Sequence, residues 1–167
     1  TPSFSIKNEG KTGTRSAYVN VANYVSGDAK WVFDAVTVKP STTYTFKDAY
    51  KSNVSSNVVV AITKIDGTIS YIDLGSAAAS PINWEKFTKD FAVPADAKLA
   101  TVYHLLAANG WLQTDDYSLT EYTAPTPPAA GTNLVLNQSM ESGNVRSITN
   151  CSKSSWGSQT VTHAVKT

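Results

Sequence analysis

Two histidines, one cysteine and thirteen carboxylates are what this sequence offers to acid–base, nucleophilic or metal chemistry. His104 and His163 stand beside no serine or cysteine nucleophile motif, and no Gly-x-Ser-x-Gly elbow occurs. A lone cysteine, Cys151, can close no internal disulfide and build no metal site by itself. The conspicuous acidic pair is Asp115-Asp116. Neighbours on a strand point to opposite faces, so this pair is not expected to flank one glycosidic bond as two catalytic carboxylates would. These residues predict a protein that is not an enzyme. The aromatic residues are more generous, with four Trp and eight Tyr. Trp111 follows the Asn109-Gly110 turn, and Trp156 sits in Ser154-Ser155-Trp156-Gly157. A large ring in a polar loop is costly unless it contacts something.

The elements that must position these residues read as strands. Short runs recur between turn signals: Ser16 to Val21, Trp31 to Val38, Thr42 to Tyr50, Val58 to Ile65, Ile69 to Leu74, Trp84 to Val93, Leu99 to Leu106 and Leu112 to Thr120. Asp66-Gly67 and Asn109-Gly110 mark tight turns. The pattern predicts an all-β, antiparallel β-sandwich. Ala77 to Ala79 is the only helix-friendly patch, and Pro81 limits it. Charged residues are 16% of the chain and the net charge is +1, which predicts neither nucleic-acid binding nor attraction to an anionic membrane. No stretch is apolar enough to span a bilayer. Residues 123–132, TAPTPPAAGT, read as a Pro-rich linker between a main body at 1–122 and a segment at 133–167. Asn133 to Met140 and Thr160 to Val165 read as further strands. Starting at Thr1, the chain is expected to be cut from something longer.

Four motifs resemble the jelly-roll (galactose-binding-like) carbohydrate-binding modules of families 4, 9, 16 and 22, most nearly the family 16-like ones. DDYSLT at Asp115 to Thr120 is similar to their closing strand, and PSTTYTF at Pro40 to Phe46 to an early strand. WEKFTKDFAVP at Trp84 to Pro94 resembles their strand that opens on Trp. NLVLNQSME at Asn133 to Glu141 resembles their opening strand. That strand stands last here. The resemblance therefore implies a circularly permuted module, or one cut from a tandem array. Residues 133–167 would complete the same sandwich or, by strand swapping, a neighbouring copy.

The resemblance also implies a structural calcium where first and last strands meet. Its ligands would be the Asp115 and Glu141 side chains with carbonyls of the Lys11 to Arg15 turn; Asp116 is the alternative if the strand parity is reversed. Asp115 shares parity with Tyr117 and Leu119, so it is expected to point inward.

Sugar rings present C–H faces that stack on aromatic side chains. Trp111 and Trp156 are the expected platforms. Trp31 is a third if Val32, Val36 and Val38 face the core. Tyr50, Gln113 and Gln159 are expected hydrogen-bonding partners, with Lys51, Ser52 and Asn53 beside them, whereas Trp84 is expected to pack. The implied function is a non-catalytic module that holds a secreted polysaccharide-degrading enzyme on its polymer. The alternative is a structural or adhesive spacer that binds no sugar. Few basic residues flank the platforms, which favours neutral glucan or mannan; Lys30, Lys51 and Lys153 keep an alginate-like acidic polymer open.

Overall fold

The computed structural model describes residues 1–124 and two short strand pieces, 143–144 and 147–148. Residues 1–123 and 124–167 form two separate compact units. Glu141, Trp156, Gln159, Cys151, His163, the Pro-rich linker and the opening-strand motif lie outside the described residues. In the second unit, β11 (Gly143–Asn144) pairs with β12 (Ser147–Ile148).

The first unit is an antiparallel two-sheet sandwich with no helix among the described residues. One sheet runs β1 (Pro2–Lys7), β2 (Ser16–Val21), β10 (Gly110–Glu121), β5 (Thr43–Ser52) and β8 (Ser80–Ala92). The other runs β3 (Ala29–Lys30), β9 (Ala97–Leu106), β6 (Ser56–Lys64) and β7 (Ile69–Ala77), and β4 (Val36–Thr37) also pairs with β9. Alternation decides which residues face inward. Tyr44, Phe46, Asp48, Tyr50 and Ser52 of β5 are buried against Val58, Val60 and Ile62 of β6 and Ala100, Val102, His104 and Leu106 of β9. Phe46, Val60 and Ile62 are wholly buried, each stabilising the fold by about 1.5–3 kcal/mol.

The strand pattern read from sequence reappears with three corrections. Trp31 to Val38 is a strand only at Val36–Thr37, and Val32 and Val36 are exposed, so the alternation there does not mark a core face. Pro2–Lys7 pairs along the edge of β2 although all its residues are exposed, a strand absent from the pattern read above even though Phe4 and Ile6 alternate along it. Ala77 closes a strand rather than a helix, and Pro81 is accommodated because β8 is an edge strand, where a missing N–H is tolerated.

Gly110 opens β10 at φ +148°, and a Cβ there would fall 2.6 Å from Asn53 Oδ1 and 2.9 Å from Val54. Neither neighbour can retreat cheaply, because Asn53 Oδ1 accepts the Trp111 N–H at 2.7 Å. Gly110→Ala is therefore expected to lower stability by about 1–3 kcal/mol, read from the urea midpoint. An unchanged midpoint would show that the loop yields.

Candidate functional site

The outer face of the five-stranded sheet carries Trp111, one of the three expected platforms, together with Tyr18 and Trp84, neither of them expected there. Register places Tyr18 of β2 beside Gln113 of β10, and Gln113 beside Lys51 of β5. Trp111 lies beside Asn20, one step along the same face. The Tyr18 and Trp111 rings stack at 5.9 Å with 24° between planes. The Lys7 ammonium sits 4.1 Å from the Tyr18 ring centre, and that of Lys51 is 5.2 Å from the Trp84 ring centre. Lys51 also pairs with Glu9 at 2.5 Å. Half-buried Trp84, Tyr18 and Trp111 thus share one face, with a cation and a carboxylate between them. Trp84 is not the packed core residue expected from its motif.

The Trp111 backbone is clamped. Its N–H donates to Asn53 Oδ1, and its carbonyl accepts from the Ser52 hydroxyl at 2.8 Å. Both Ser52 and Asn53 are expected from sequence to meet a ligand; Ser52 is wholly buried and serves to fix this ring's position, while exposed Asn53 holds it through Oδ1. Two further expectations move. Tyr50 is 5% exposed, its hydroxyl donates to the Ala78 carbonyl, and burial raises its pKa. Gln113 is equally buried, donating to Ser16 Oγ and the Glu9 carbonyl. Inward parity removes the first from the surface, and the covering Glu9 loop removes the second. Trp31 is half-buried, edge-on to Phe4 with its indole N–H donating to the Tyr18 carbonyl. It lines an apolar groove of about 470 Å³ with Phe33, Tyr117 and Leu119 rather than joining the outer aromatic face.

The acidic pair departs from strand alternation. β10 bulges between Asp115 and Ser118, and Asp116 takes φ +53°. The bulge returns Tyr117 to the interior, beside Phe33 and Phe46, while Asp115 turns outward. Burial pushes the Tyr117 hydroxyl well above its ordinary range, with nearby Asp48 adding to the effect. Both carboxylates reach the same turn. Asp115 Oδ2 accepts the Lys11 and Thr12 N–H groups at 2.7 and 3.2 Å, and Asp116 accepts the Thr12 hydroxyl. Lys11 thus approaches Asp115 through its N–H, not as a carbonyl donor. A Cβ on Gly10 would collide with the Thr12 carbonyl oxygen and lie 2.8 Å from that of Arg15 and 3.0 Å from Asp115 Oδ2. Three hard oxygens converge on that cradle, a donor set suited to calcium. No group of three His, Cys, Asp or Glu side chains gathers among the described residues.

A second constellation has no warning in local sequence. His104 Nδ1 lies 2.6 Å from Asp48 Oδ2, and Nε2 lies 2.8 Å from Ser56 Oγ. The order is that of a Ser–His–Asp catalytic triad. All three residues are at most 1% exposed, so no substrate meets Ser56 in this fold. Asp48 belongs to one sheet and the other two residues to the opposite sheet, making the array a polar tie across the core.

This architecture defines a jelly-roll β-sandwich with an aromatic outer sheet face. No family model matches the chain. No curated protein matches it either. Solved structures share the fold. A family 22 carbohydrate-binding module with its attached catalytic module, from Clostridium thermocellum endo-1,4-β-D-xylanase 10B in complex with xylohexaose, matches at 15% identity and TM-score 0.56, over 73% of this chain and 25% of that one. The family 22 xylan-binding domain of a Paenibacillus barcinonensis xylanase matches at 11% identity and TM-score 0.55, over 74% and 83%. The enzymatically active domain of bacteriophage CBA120 tailspike protein 4 matches at 9% identity and TM-score 0.59, over 72% and 18%. The chain thus spans a quarter of the first of these structures and most of the second.

The cross-sheet tie makes a stability claim. Removing the imidazole with His104→Ala leaves the Asp48 carboxylate buried without its partner, an expected loss of about 3–5 kcal/mol. Ser56→Ala removes a neutral partner and should cost about 1 kcal/mol. Urea denaturation measures both. Equal losses would show that charge is not what the imidazole compensates.

Proposed function

We propose that this chain is a non-catalytic carbohydrate-binding module that holds a secreted polysaccharide-degrading enzyme on its polymer. The observation that carries this reading is the gathering of Tyr18, Trp111 and Trp84 on one sheet face, with polar and charged groups between the rings. Aromatic faces stack on pyranose C–H surfaces, while amides and charges meet hydroxyls. The isolated family 22 domains supply support: proteins of this fold bind xylan, and the aligned part covers most of such a domain. The spacer alternative needs no such face. Catalysis finds no support in the described residues, since their only Ser–His–Asp array is buried.

We also propose a structural calcium at the Gly10 cradle, held by Asp115 and the Thr12 and Arg15 carbonyls. A bound cation would tie the turn before β2 to the bulge of β10.

Trp111→Ala and Trp84→Ala are each expected to weaken retardation in gels containing soluble xylan or β-glucan by about 1–3 kcal/mol, with melting little changed. Wild-type retention by both variants would contradict the platform. Calcium should raise the melting temperature of the parent over that in chelator, because it binds only the folded form. Asp115→Asn should abolish the difference. If parent and variant respond alike, the cradle is not the site.

A further inference from the structure

We infer that the aromatic face is selective for polysaccharides bearing carboxylates, that is, for uronic-acid polymers over neutral glycans. The inference rests on the carbohydrate-binding reading above and specifies its substrate class. The lysines carry it. Outward positions of β1, β5 and β8 place Lys7, Lys47, Lys51 and Lys86 on this one face. Lys47 pairs across strands with Thr88 and Lys86 with Ala49, so the two ammonium groups are diagonal neighbours. Both are exposed, and neither makes an ion pair among the described residues. Like charges so placed repel, although Asp90, opposite Thr45, is the other diagonal neighbour of Lys47 and offsets part of that cost; an anionic ligand relieves the rest.

Lys51 shows how a carboxylate would be met. Its ammonium lies over the Trp84 ring and holds the Glu9 carboxylate at 2.5 Å. Glu9 is 57% exposed at its side chain, whereas Lys51 is 14% exposed. An exposed surface carboxylate thus stands where the carboxylate of a sugar stacked on Trp84 would meet the same cation. The other acidic groups on the face are engaged: Asp115 accepts two backbone N–H groups and Asp90 accepts the Thr45 hydroxyl. Lys30, by contrast, belongs to the opposite sheet and pairs with Asp28, so it does not extend the patch. The four lysines of this face are far apart in the sequence and come together only on folding.

Affinity gels with polygalacturonate, alginate, neutral xylan and β-glucan test this, with duplex DNA as a polyanion of another class. The parent should bind a polyuronate about tenfold more tightly than the neutral polymers at low salt, the scale of one charge-assisted contact. The preference should shrink as salt screens it. Lys47→Gln/Lys86→Gln, both on the surface, should reduce the preference, with Lys51 still in place, and leave neutral binding unchanged. Glu9→Gln should strengthen polyuronate binding by freeing Lys51. Equal, salt-insensitive binding of neutral and acidic polymers overturns the inference while leaving carbohydrate binding intact. DNA bound as tightly as polyuronate overturns it as well, since charge alone would then suffice. No retardation by any polysaccharide removes the carbohydrate reading and this inference together.

Discussion

The two sheets meet through a polar tie set in the middle of their apolar interface. Asp48 follows Phe46 and precedes Tyr50 on the inner face of β5, and His104 stands between Val102 and Leu106 on β9. The core is divided accordingly into one cluster around Phe46, Val60 and Val102 and another around Val19, Leu106 and Leu112. Apolar packing alone specifies face against face but tolerates sliding. A carboxylate that must meet an imidazole, and an imidazole that must meet Ser56, permit one registration of sheet on sheet. Burying these groups costs desolvation, which the 2.6 and 2.8 Å hydrogen bonds offset only when the sheets are aligned.

That alignment fixes β10, on which the candidate sites depend. Its first half lies between β2 and β5 and holds Trp111 on the outer face. Its bulge then turns Asp115 and Asp116 together onto the Lys11–Thr12 turn and returns Tyr117 to the core. A single inserted residue therefore separates a stacking surface from an oxygen-lined cradle on one strand. Gly10 and Gly110 serve the two ends of this device. Each allows backbone to approach where a Cβ would meet oxygen or a valine side chain.

The outer face combines rings and charges in a way that a spacer domain would not require. Lys7 and Lys51 lie against aromatic rings rather than extending into solvent. Lys51 meets the Glu9 carboxylate while it lies over the Trp84 ring. The same arrangement leaves three large aromatic rings partly covered and partly exposed.

Much of the fold was legible because alternation and turn chemistry are local. Ser16–Val21 and the Asp66-Gly67 turn specify strand and reversal from a few adjacent residues, and the structure keeps them, whereas Asn109-Gly110 joins strands of different sheets. Trp111 could likewise be singled out from its polar neighbours. The bulge at Asp116 was not legible, since one residue at positive φ reverses the parity on which an inward Asp115 was argued. Nor could periodicity show that Tyr50 and Gln113 are covered, or that Trp84 is not. Those outcomes depend on which strands become neighbours. Tyr18, Glu9, Lys51 and Trp84 are scattered along the chain, as are Asp48, Ser56 and His104, and no spacing connects either set. The sequence by itself determined the strands and the antiparallel class, because side-chain period and turn residues act over a few bonds. Only the tertiary structure decided which side chains share a face or a core, because strand order and register are set by packing between residues far apart in the chain.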